Sequence, residues 1–231
     1  IRGVLYANNN SRRKFLNEIG EKIYQEWNPD KMDGWVRLTF LGGARQVGRS
    51  SMLIQTPNSS VLLDCGVDVA AQAEDKYPIL NIPEFNISTL DAIIISHAHL
   101  DHVGLLPYLY KMGYTGPVYM TPPTRDIAAL TALDFIGVAY KQAEAPIFNS
   151  ANVTEMVKHS ICLGYGEVTD IAPDVRLTFY NSGHVLGGAL VHLNIGNGFH
   201  NLLYTGDYKY SKTRLLDPAV TTFPRVETVI T

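Results

Sequence analysis

Cysteine is scarce in this sequence, which has only two in 231 residues. Cys65 and Cys162 are too far apart to form a C-x-x-C metal motif, and two thiols cannot build a disulfide framework. Such sparse usage is typical of a reducing compartment, so we expect a cytoplasmic protein. Long apolar runs are also missing, and no charged segment followed by an apolar one opens the chain. A membrane span and a secretory signal are therefore not predicted.

An excess of one charge sign is missing as well. Nineteen Lys and Arg residues stand against 22 Asp and Glu residues, for a formal net charge of −3. Composition therefore does not indicate a strongly basic nucleic-acid-binding protein, and a phosphate-containing partner would have to be held by local groups. Hydrophobic residues make up 46% of the sequence, which is enough apolar side chain for one sizeable core.

Hydrophobic periodicity predicts one amphipathic helix followed by a layered α/β arrangement. Residues 11–27 place apolar side chains at four-residue spacing, and the sequence Asn-Pro-Asp at 28–30 ends this helix. Further helices are predicted at 103–112, 123–140 and 152–159, and strands at 35–41, 52–56, 61–63, 91–95, 117–121, 175–180, 189–195 and 199–204. Two strand-rich stretches thus bracket a helical middle without a repeating βαβ period, which predicts an α/β layered sandwich.

The two ends of the chain carry a further expectation. The sequence starts at Ile1 rather than Met, and it finishes at Thr231 inside the strand-like run 226–231. We therefore expect both ends to be cut points in a longer protein.

The strongest chemical signal is the run His97-Ala-His99-Leu-Asp101-His102, which directly follows a short apolar strand. Three imidazoles and a carboxylate at the carboxyl end of a buried strand predict a metal site, because a turn there can direct several ligands to one point. The spacing suggests two ions. His97 and His99 can share one, while Asp101 and His102 can serve another about 3.5–4 Å away.

Other candidate ligands also follow predicted strands. His184 lies in Ser-Gly-His after the strand at 175–180, and Asp207 lies in Thr-Gly-Asp after the strand at 199–204, although an aspartate in a turn is common without a metal. Asp64 ends the strand at 61–63, where it could be a capping residue or could orient ligand histidines from a second layer. The remaining histidines lack ligand-type neighbours, and we interpret them as structural or surface residues: His159, His192 and His200.

This order of residues resembles the metallo-β-lactamase superfamily. Four longer segments, at 41–50, 96–104, 182–187 and 204–210, are similar to the β-CASP nucleases, and among these to archaeal homologues of the endonuclease subunit of the cleavage and polyadenylation specificity factor. The similarity covers nearly the whole chain. It implies an αββα sandwich, with residues 1–33 as a helical linker that follows KH domains and residues 34–231 as the amino-terminal part of the metallo-β-lactamase domain.

The resemblance also implies a centre of two zinc ions. One ion would be held by His97, His99 and His184, the second by Asp101 and His102, with Asp207 as the bridge and Asp64 as a buried supporter. Asp101 and Asp207 would be the catalytic carboxylates.

The implied activity is a zinc-dependent ribonuclease, endonucleolytic or 5′-to-3′ exonucleolytic, that acts in RNA 3′-end processing or transcription termination. Members of the family continue into an acidic motif, a β-CASP cap, a general acid and a last zinc-ligating histidine. The resemblance therefore implies that RNA is the partner, that the chain needs this further half in cis or in trans and is inactive alone, and that the intact protein is a homodimer.

Three alternatives stay open at this point. The chain could be another hydrolase of the same fold, such as a thioesterase or a lactamase. It could be a catalytically silent RNA-binding subunit, although the complete ligand set argues against this. Iron or manganese could also replace zinc, since imidazole and carboxylate ligands suit several metals.

Overall fold

Residues 1–7, 9–24 and 34–231 are described by the computed structural model. The helix predicted from residue 11 onward is present as Asn9–Ile23. On its apolar face Ile19 is buried, and Phe15 packs edge-on against the ring of His159 with 4.6 Å between the centroids. The rest of the predicted helix, with Trp27 and the stop signal at 28–30, lies outside the described residues.

Six strands form the first sheet in the order β1-β2-β3-β4-β5-β6. They are β1 Arg37–Gly42, β2 Ser51–Gln55, β3 Ser60–Leu63, β4 Ala92–Ile94, β5 Val118–Met120 and β6 Ser160–Cys162. The first three pair antiparallel, and the pairs from β3 to β6 are parallel. Because parallel strands share one direction, the carboxyl ends of β3 and β4 meet at the same edge of this sheet.

Five strands form the second sheet in the order β11-β10-β9-β8-β7. They are β7 Val168–Ala172, β8 Val175–Asn181, β9 Ala189–Ile195, β10 His200–Tyr204 and β11 Thr228–Ile230. All neighbours are antiparallel except β10 and β11. Asn197 adopts a φ of 53° in the tight connection from β9 to β10, a conformation that asparagine tolerates better than most residues.

Six α-helices lie within the described residues. They are α1 Arg2–Tyr6, α2 Asn9–Ile23, α3 Leu100–Val103, α4 Leu106–Lys111, α5 Pro122–Lys141 and α6 Ser150–His159. Helix α5 begins with two prolines, and the hydroxyl of Thr121 accepts a hydrogen bond from the backbone N–H of Thr124. Asn149 forms a capping box with Asn152 at the start of α6.

Side-chain alternation divides the core into two layers. Ile93 of β4 points toward the helices, where it joins Leu62 and Leu106, while its neighbour Ile94 points toward the second sheet and joins Phe179 and Val191. The first sheet is thus covered by helices on one face and by the second sheet on the other. The predicted α/β sandwich is confirmed.

The single helix predicted for 103–112 is wrong, because the structure has the two short helices α3 and α4 there. The backbone N–H of Leu105 donates to the carbonyl of Cys65 at 2.9 Å instead of continuing a helix. Pro107, in the first turn of α4, has no N–H to donate.

The sequence patterns also missed α1 and the short strands β6 and β7. Strand β6 is defined by its pairing with β5, which lies far earlier in the chain, so local periodicity carries little signal for it. Strand β7 forms a hairpin with the next strand, β8, and the sequence interpretation overlooked it. Within the described ranges, no helix combines the length and the apolar character needed to cross a bilayer.

Candidate metal centre

Backbone hydrogen bonds hold the histidine-rich loop against the end of β3. The N–H of Cys65 donates to the carbonyl of His102, and the N–H of Val67 donates to that of Leu100, each at 2.8 Å. Gly66 makes this approach possible, since a Cβ atom there would lie only 1.7 Å from the carbonyl oxygen of Asp101. The loop is therefore fixed by main-chain contacts.

The second sheet contributes the loops with His184 and Asp207, which follow β8 and β10. The N–H of Ala189 donates to the carbonyl of Ser96 at 2.9 Å, so the two sheets are connected beside the site. Gly206, with a φ of 48°, brings the Asp207 loop close to Ser96, whose hydroxyl oxygen would lie 2.8 Å from an added Cβ atom. The site is thus assembled from both sheets.

Three histidines and one carboxylate converge on the first part of this site. His99 Nδ1 lies 3.1 Å from His97 Nε2 and 3.2 Å from His184 Nε2. Asp207 Oδ2 lies 3.3 Å from His184 Nε2 and 3.8 Å from His97 Nε2. One ligand atom from each of these four residues falls within 4.8 Å of all the others. The group is able to bind a metal ion.

Asp207 also faces a second group of ligand-type atoms. Its other oxygen, Oδ1, lies 3.6 Å from His102 Nε2. The same nitrogen lies 3.7 Å from Asp101 Oδ2. The two oxygens of one carboxylate are therefore directed toward two different sets of side chains.

Asp64 is the buried anchor of His102. It adopts a φ of 56°, is fully buried, and its Oδ2 is 2.7 Å from His102 Nδ1. Oδ2 also accepts hydrogen bonds from the hydroxyls of Ser96 and Tyr204, and Oδ1 accepts one from the Ser96 N–H, all at 2.7 Å. Because Nδ1 is engaged by Asp64, Nε2 of His102 is the nitrogen presented to the cluster.

Ser96 and Tyr204 are the supporting residues that the sequence interpretation missed. The Ser96 hydroxyl also lies 3.0 Å from His97 Nδ1, so it contacts both Asp64 and a candidate ligand. Their signal was their position, because Ser96 directly precedes His97 and Tyr204 begins the segment that contains Asp207.

Burial and local charge set the protonation of the cluster. Burial lowers the pKa of His97 to about 3, reinforced by repulsion from His102, and burial also lowers the pKa of His184. Both rings are therefore neutral near pH 7. Each neutral ring has a nitrogen lone pair, and these lone pairs lie close enough together to repel one another. A cation bound between the rings would accept them as ligands instead.

His102 shows the opposite behaviour. Burial acts to lower its pKa, but its interactions with the carboxylates of Asp207 and Asp64 outweigh that effect and raise the pKa to about 10. The interaction with His102 in turn lowers the pKa of Asp207 to about 2. Carboxylates thus surround this imidazole and favour a positive charge on it. A metal ion would displace that proton, since ligand nitrogens bind metals in the deprotonated form.

A cavity of about 810 Å³ opens beside Asp101, His102 and Asp207. Its other walls include the glycine-rich loop at 42–48 and the residues at 228–231. Arg45 in this loop is exposed, has a φ of 60°, and places a cation at the cavity. The cavity gives a substrate access to the second group of ligand-type atoms.

The other histidines and the cysteines have partners or surroundings of a structural kind. His159 Nδ1 is 2.8 Å from the carbonyl of Glu155, His192 Nε2 is 3.1 Å from that of Arg225, and His200 Nε2 is 3.0 Å from the Thr228 hydroxyl. Both cysteines are free. Burial raises the pKa of the Cys65 thiol, which keeps it protonated.

Two packed sheets with histidine and aspartate side chains gathered at one edge form the architecture of a metallo-beta-lactamase domain. The chain belongs to the metallo-beta-lactamase superfamily, whose domain matches residues 53–229. A mutant metallo-β-lactamase of Cronobacter sakazakii, described by its HARLDQ motif, has the same fold with a TM-score of 0.52 at 19% identity. That match covers 78% of this chain and 63% of the solved one.

Archaeal relatives match the whole chain. It is 55% identical to the transcription termination factor FttA of Methanothermobacter thermautotrophicus and 49% identical to the FttA of Pyrococcus abyssi. In both cases the match covers 100% of this chain and 36% of the relative. These relatives are β-CASP proteins similar to the cleavage and polyadenylation specificity factor, so the resemblance seen in the sequence motifs is confirmed.

The structure brings all seven predicted site residues together. His97, His99, His184 and Asp207 form the four-residue cluster, Asp101 and His102 lie on the other side of Asp207, and Asp64 lies behind His102. Their roles as ligands, bridge and supporter remain proposals.

Proposed function

We propose that the chain is the metal-binding part of a zinc-dependent ribonuclease that acts in RNA 3′-end processing or transcription termination. The observation that carries this proposal is the position of Asp207, whose two oxygens face two separate groups of ligand-type side chains. A bridging carboxylate between two ions is typical of centres that hydrolyse phosphodiesters. The names of the archaeal relatives favour RNA as the substrate.

In this proposal His97, His99 and His184 hold one zinc ion and Asp101 and His102 hold the other. The donor set fits zinc, because neutral imidazoles and carboxylates are its ordinary ligands. When bound, the ions lower the pKa of a water molecule to about 7 and offset the charge that develops on the phosphate.

The protein side chains orient the reactants. The Asp101 and Asp207 carboxylates accept hydrogen bonds from the attacking water, and Asp64 and Ser96 keep His102 and His97 in position. Arg45 contacts a phosphate of the substrate in the cavity. Because water attacks phosphorus, the ribose 2′-hydroxyl takes no part, and the products carry a 5′-phosphate and a 3′-hydroxyl.

We also propose the division into a helical linker at 1–33 and a metallo-β-lactamase domain at 34–231. In support, β1 starts at Arg37 and the superfamily match lies entirely within the second range. Helix α2 is docked on the domain, since the Arg12 guanidinium donates to the carbonyl of Ser160 at 2.9 Å. The predicted homodimer and cytoplasmic location stay predictions.

Metal analysis tests the ligand assignment. The double substitution His97→Ala with His99→Ala should remove most of the bound zinc, because the remaining side chains cannot complete a tetrahedral site. The matched control is His200→Ala, a histidine that bonds to Thr228 outside the cluster, and it should leave the zinc content unchanged. Equal zinc in the double variant and the wild type would refute the assignment.

RNA cleavage tests the function. In the full-length protein, Asp207→Asn should abolish cleavage of a labelled RNA while the fold stays intact, since a neutral amide replaces the bridging carboxylate at the same volume. The groups at the ends of the RNA products test the mechanism, because attack by water leaves a 5′-phosphate and a 3′-hydroxyl. Hydrolysis of a thioester or a lactam by the wild type, without cleavage of RNA, would instead support the alternative hydrolase.

A further inference from the structure

The segment directly after Asp207 exposes two tyrosines. Tyr208 is 39% exposed and Tyr210 is 66% exposed, with 4.9 Å between their ring centroids. Within the part of the chain that the structure describes, neither hydroxyl has a hydrogen-bond partner. Packing of the fold therefore gives little reason for two aromatic rings beside the metal centre.

The backbone between the two rings is fixed to the loop that carries His184. The N–H of Lys209 donates to the carbonyl of Ser182, and the carbonyl of Lys209 accepts from the N–H of Ala219, each at 2.8 Å. Since Ser182 lies two residues before His184, the tyrosines are held in a defined position relative to the ligand cluster.

Positive charge accompanies these rings. Residues 208–214, Tyr-Lys-Tyr-Ser-Lys-Thr-Arg, contain three cations and no acidic side chain, although the whole chain has a net charge of −3. Lys212 forms an ion pair with Asp217 at 3.4 Å, but both side chains are largely exposed, so water screens this pair and a phosphate can replace it. Aromatic rings combined with cations are typical of surfaces that bind single-stranded nucleic acid.

The ring geometry indicates how a strand would be held. The planes of Tyr208 and Tyr210 are inclined by 67°, so both rings cannot lie flat against the same base. Each ring therefore offers a separate face, and the more exposed Tyr210 offers the larger one. Stacking of this kind tolerates any sequence, because every base has a π-face.

We propose that the segment 208–214 is a stacking site for single-stranded RNA that guides the strand toward the metal centre. Bases lie on the rings of Tyr208 and Tyr210, and phosphates contact Lys209 between the rings and the two cations that follow them. This inference rests on the proposed ribonuclease function. Single-stranded RNA is favoured over a protein partner because one segment beside the ligand cluster combines two exposed rings with three cations and no acidic side chain.

Fluorescence anisotropy with a labelled oligouridylate tests the site. The experiment uses the full-length protein with the background substitution Asp207→Asn, which prevents cleavage. Tyr210→Ala should weaken binding by about 5- to 150-fold and Tyr208→Ala by less, whereas Tyr210→Phe should bind like the parent because it keeps the ring. Oligoadenylate should show the same pattern. Lys209→Gln should reduce the slope of log affinity against log salt concentration by about one, because one phosphate contact is lost.

Tyr140→Ala is the matched control. Tyr140 is 65% exposed, close to the value for Tyr210, but it lies about 27 Å along helix α5 from Pro122, the end next to the His184 loop. It should not change binding. Unchanged RNA affinity in both Tyr210→Ala and Tyr208→Ala would overturn this inference but not the proposed function. If these variants kept their RNA affinity but lost self-association, the two rings would belong to a protein interface instead. A wild-type full-length protein that neither binds nor cleaves RNA would overturn the proposed function as well.

Discussion

The substitution Asp64→Asn removes one negative charge from a buried position without changing side-chain volume. Asparagine tolerates the φ of 56° at this site, so backbone strain should not confuse the result. The carboxylate of Asp64 has only donors around it: the Ser96 N–H and hydroxyl, the Tyr204 hydroxyl, and His102 Nδ1. An amide has one oxygen and one NH₂ group, and the NH₂ group cannot accept a hydrogen bond.

Both amide orientations disturb the site. With the amide oxygen near His102, the NH₂ group faces the N–H of Ser96, and this unsatisfied buried contact costs about 1–3 kcal/mol of folding free energy. With the opposite orientation, His102 must accept at Nδ1 and carry its proton on Nε2, the nitrogen that faces Asp207 and Asp101. Loss of such support typically weakens metal binding by about 10- to 100-fold, or about 1.4–2.8 kcal/mol.

Competition with a chelator, measured on the full-length protein, gives the zinc affinity of each site. Asp64→Asn should weaken the site formed by Asp101 and His102 more than the three-histidine site. Tyr204→Phe removes one donor but keeps the carboxylate, so its loss should be less than about tenfold. Circular dichroism checks that both variants fold. A folded Asp64→Asn protein with wild-type affinity for both ions would refute the role assigned to Asp64.

Two further predictions follow from the same geometry. Gly66→Ala should lower the free energy of unfolding in urea by about 3 kcal/mol or more, because the new Cβ atom would lie 1.7 Å from the Asp101 carbonyl oxygen. Gly137→Ala, which has open space around it in helix α5, should raise that free energy by up to about 1 kcal/mol. Equal effects of the two substitutions would contradict this reasoning. Elemental analysis of the purified 231-residue chain should find closer to one zinc than two. In the proposed centre one ion would have three histidines and Asp207, while the other would have only Asp101, His102 and the shared Asp207. Two tightly bound ions would contradict this ligand count.

The candidate ligands could be predicted because their signal is local. The run from His97 to His102 is contiguous in sequence, and His184 and Asp207 each follow a recognisable strand at a glycine-containing turn. The contacts around Asp64 could not be predicted in the same way. Its bond with Tyr204 joins residues 140 positions apart, and nothing in either local pattern specifies that pairing.

The predicted ends of helices and strands are wrong where contacts with distant parts of the chain determine the local structure. The break between α3 and α4 depends on the carbonyl of Cys65, forty residues earlier, which takes the N–H of Leu105 away from a continuous helix. Strand β6 has only three residues and is defined by its pairing with β5, so it has no periodicity of its own. Helix α5 was predicted within a residue at each end, because the prolines at its first turn are a start signal in the local sequence.

The candidate ligands come from two sheets, so the distances between them depend on how the core packs between those sheets. His97 and His99 move with β4, whereas His184 and Asp207 move with β8 and β10, and the apolar layer that includes Ile94 and Phe179 sets how far apart these strands lie. A change of volume in that layer would alter the distance between Asp207 and the histidines without touching a ligand. Related proteins with the same four candidate ligands can therefore differ in the spacing of those side chains through buried apolar substitutions alone.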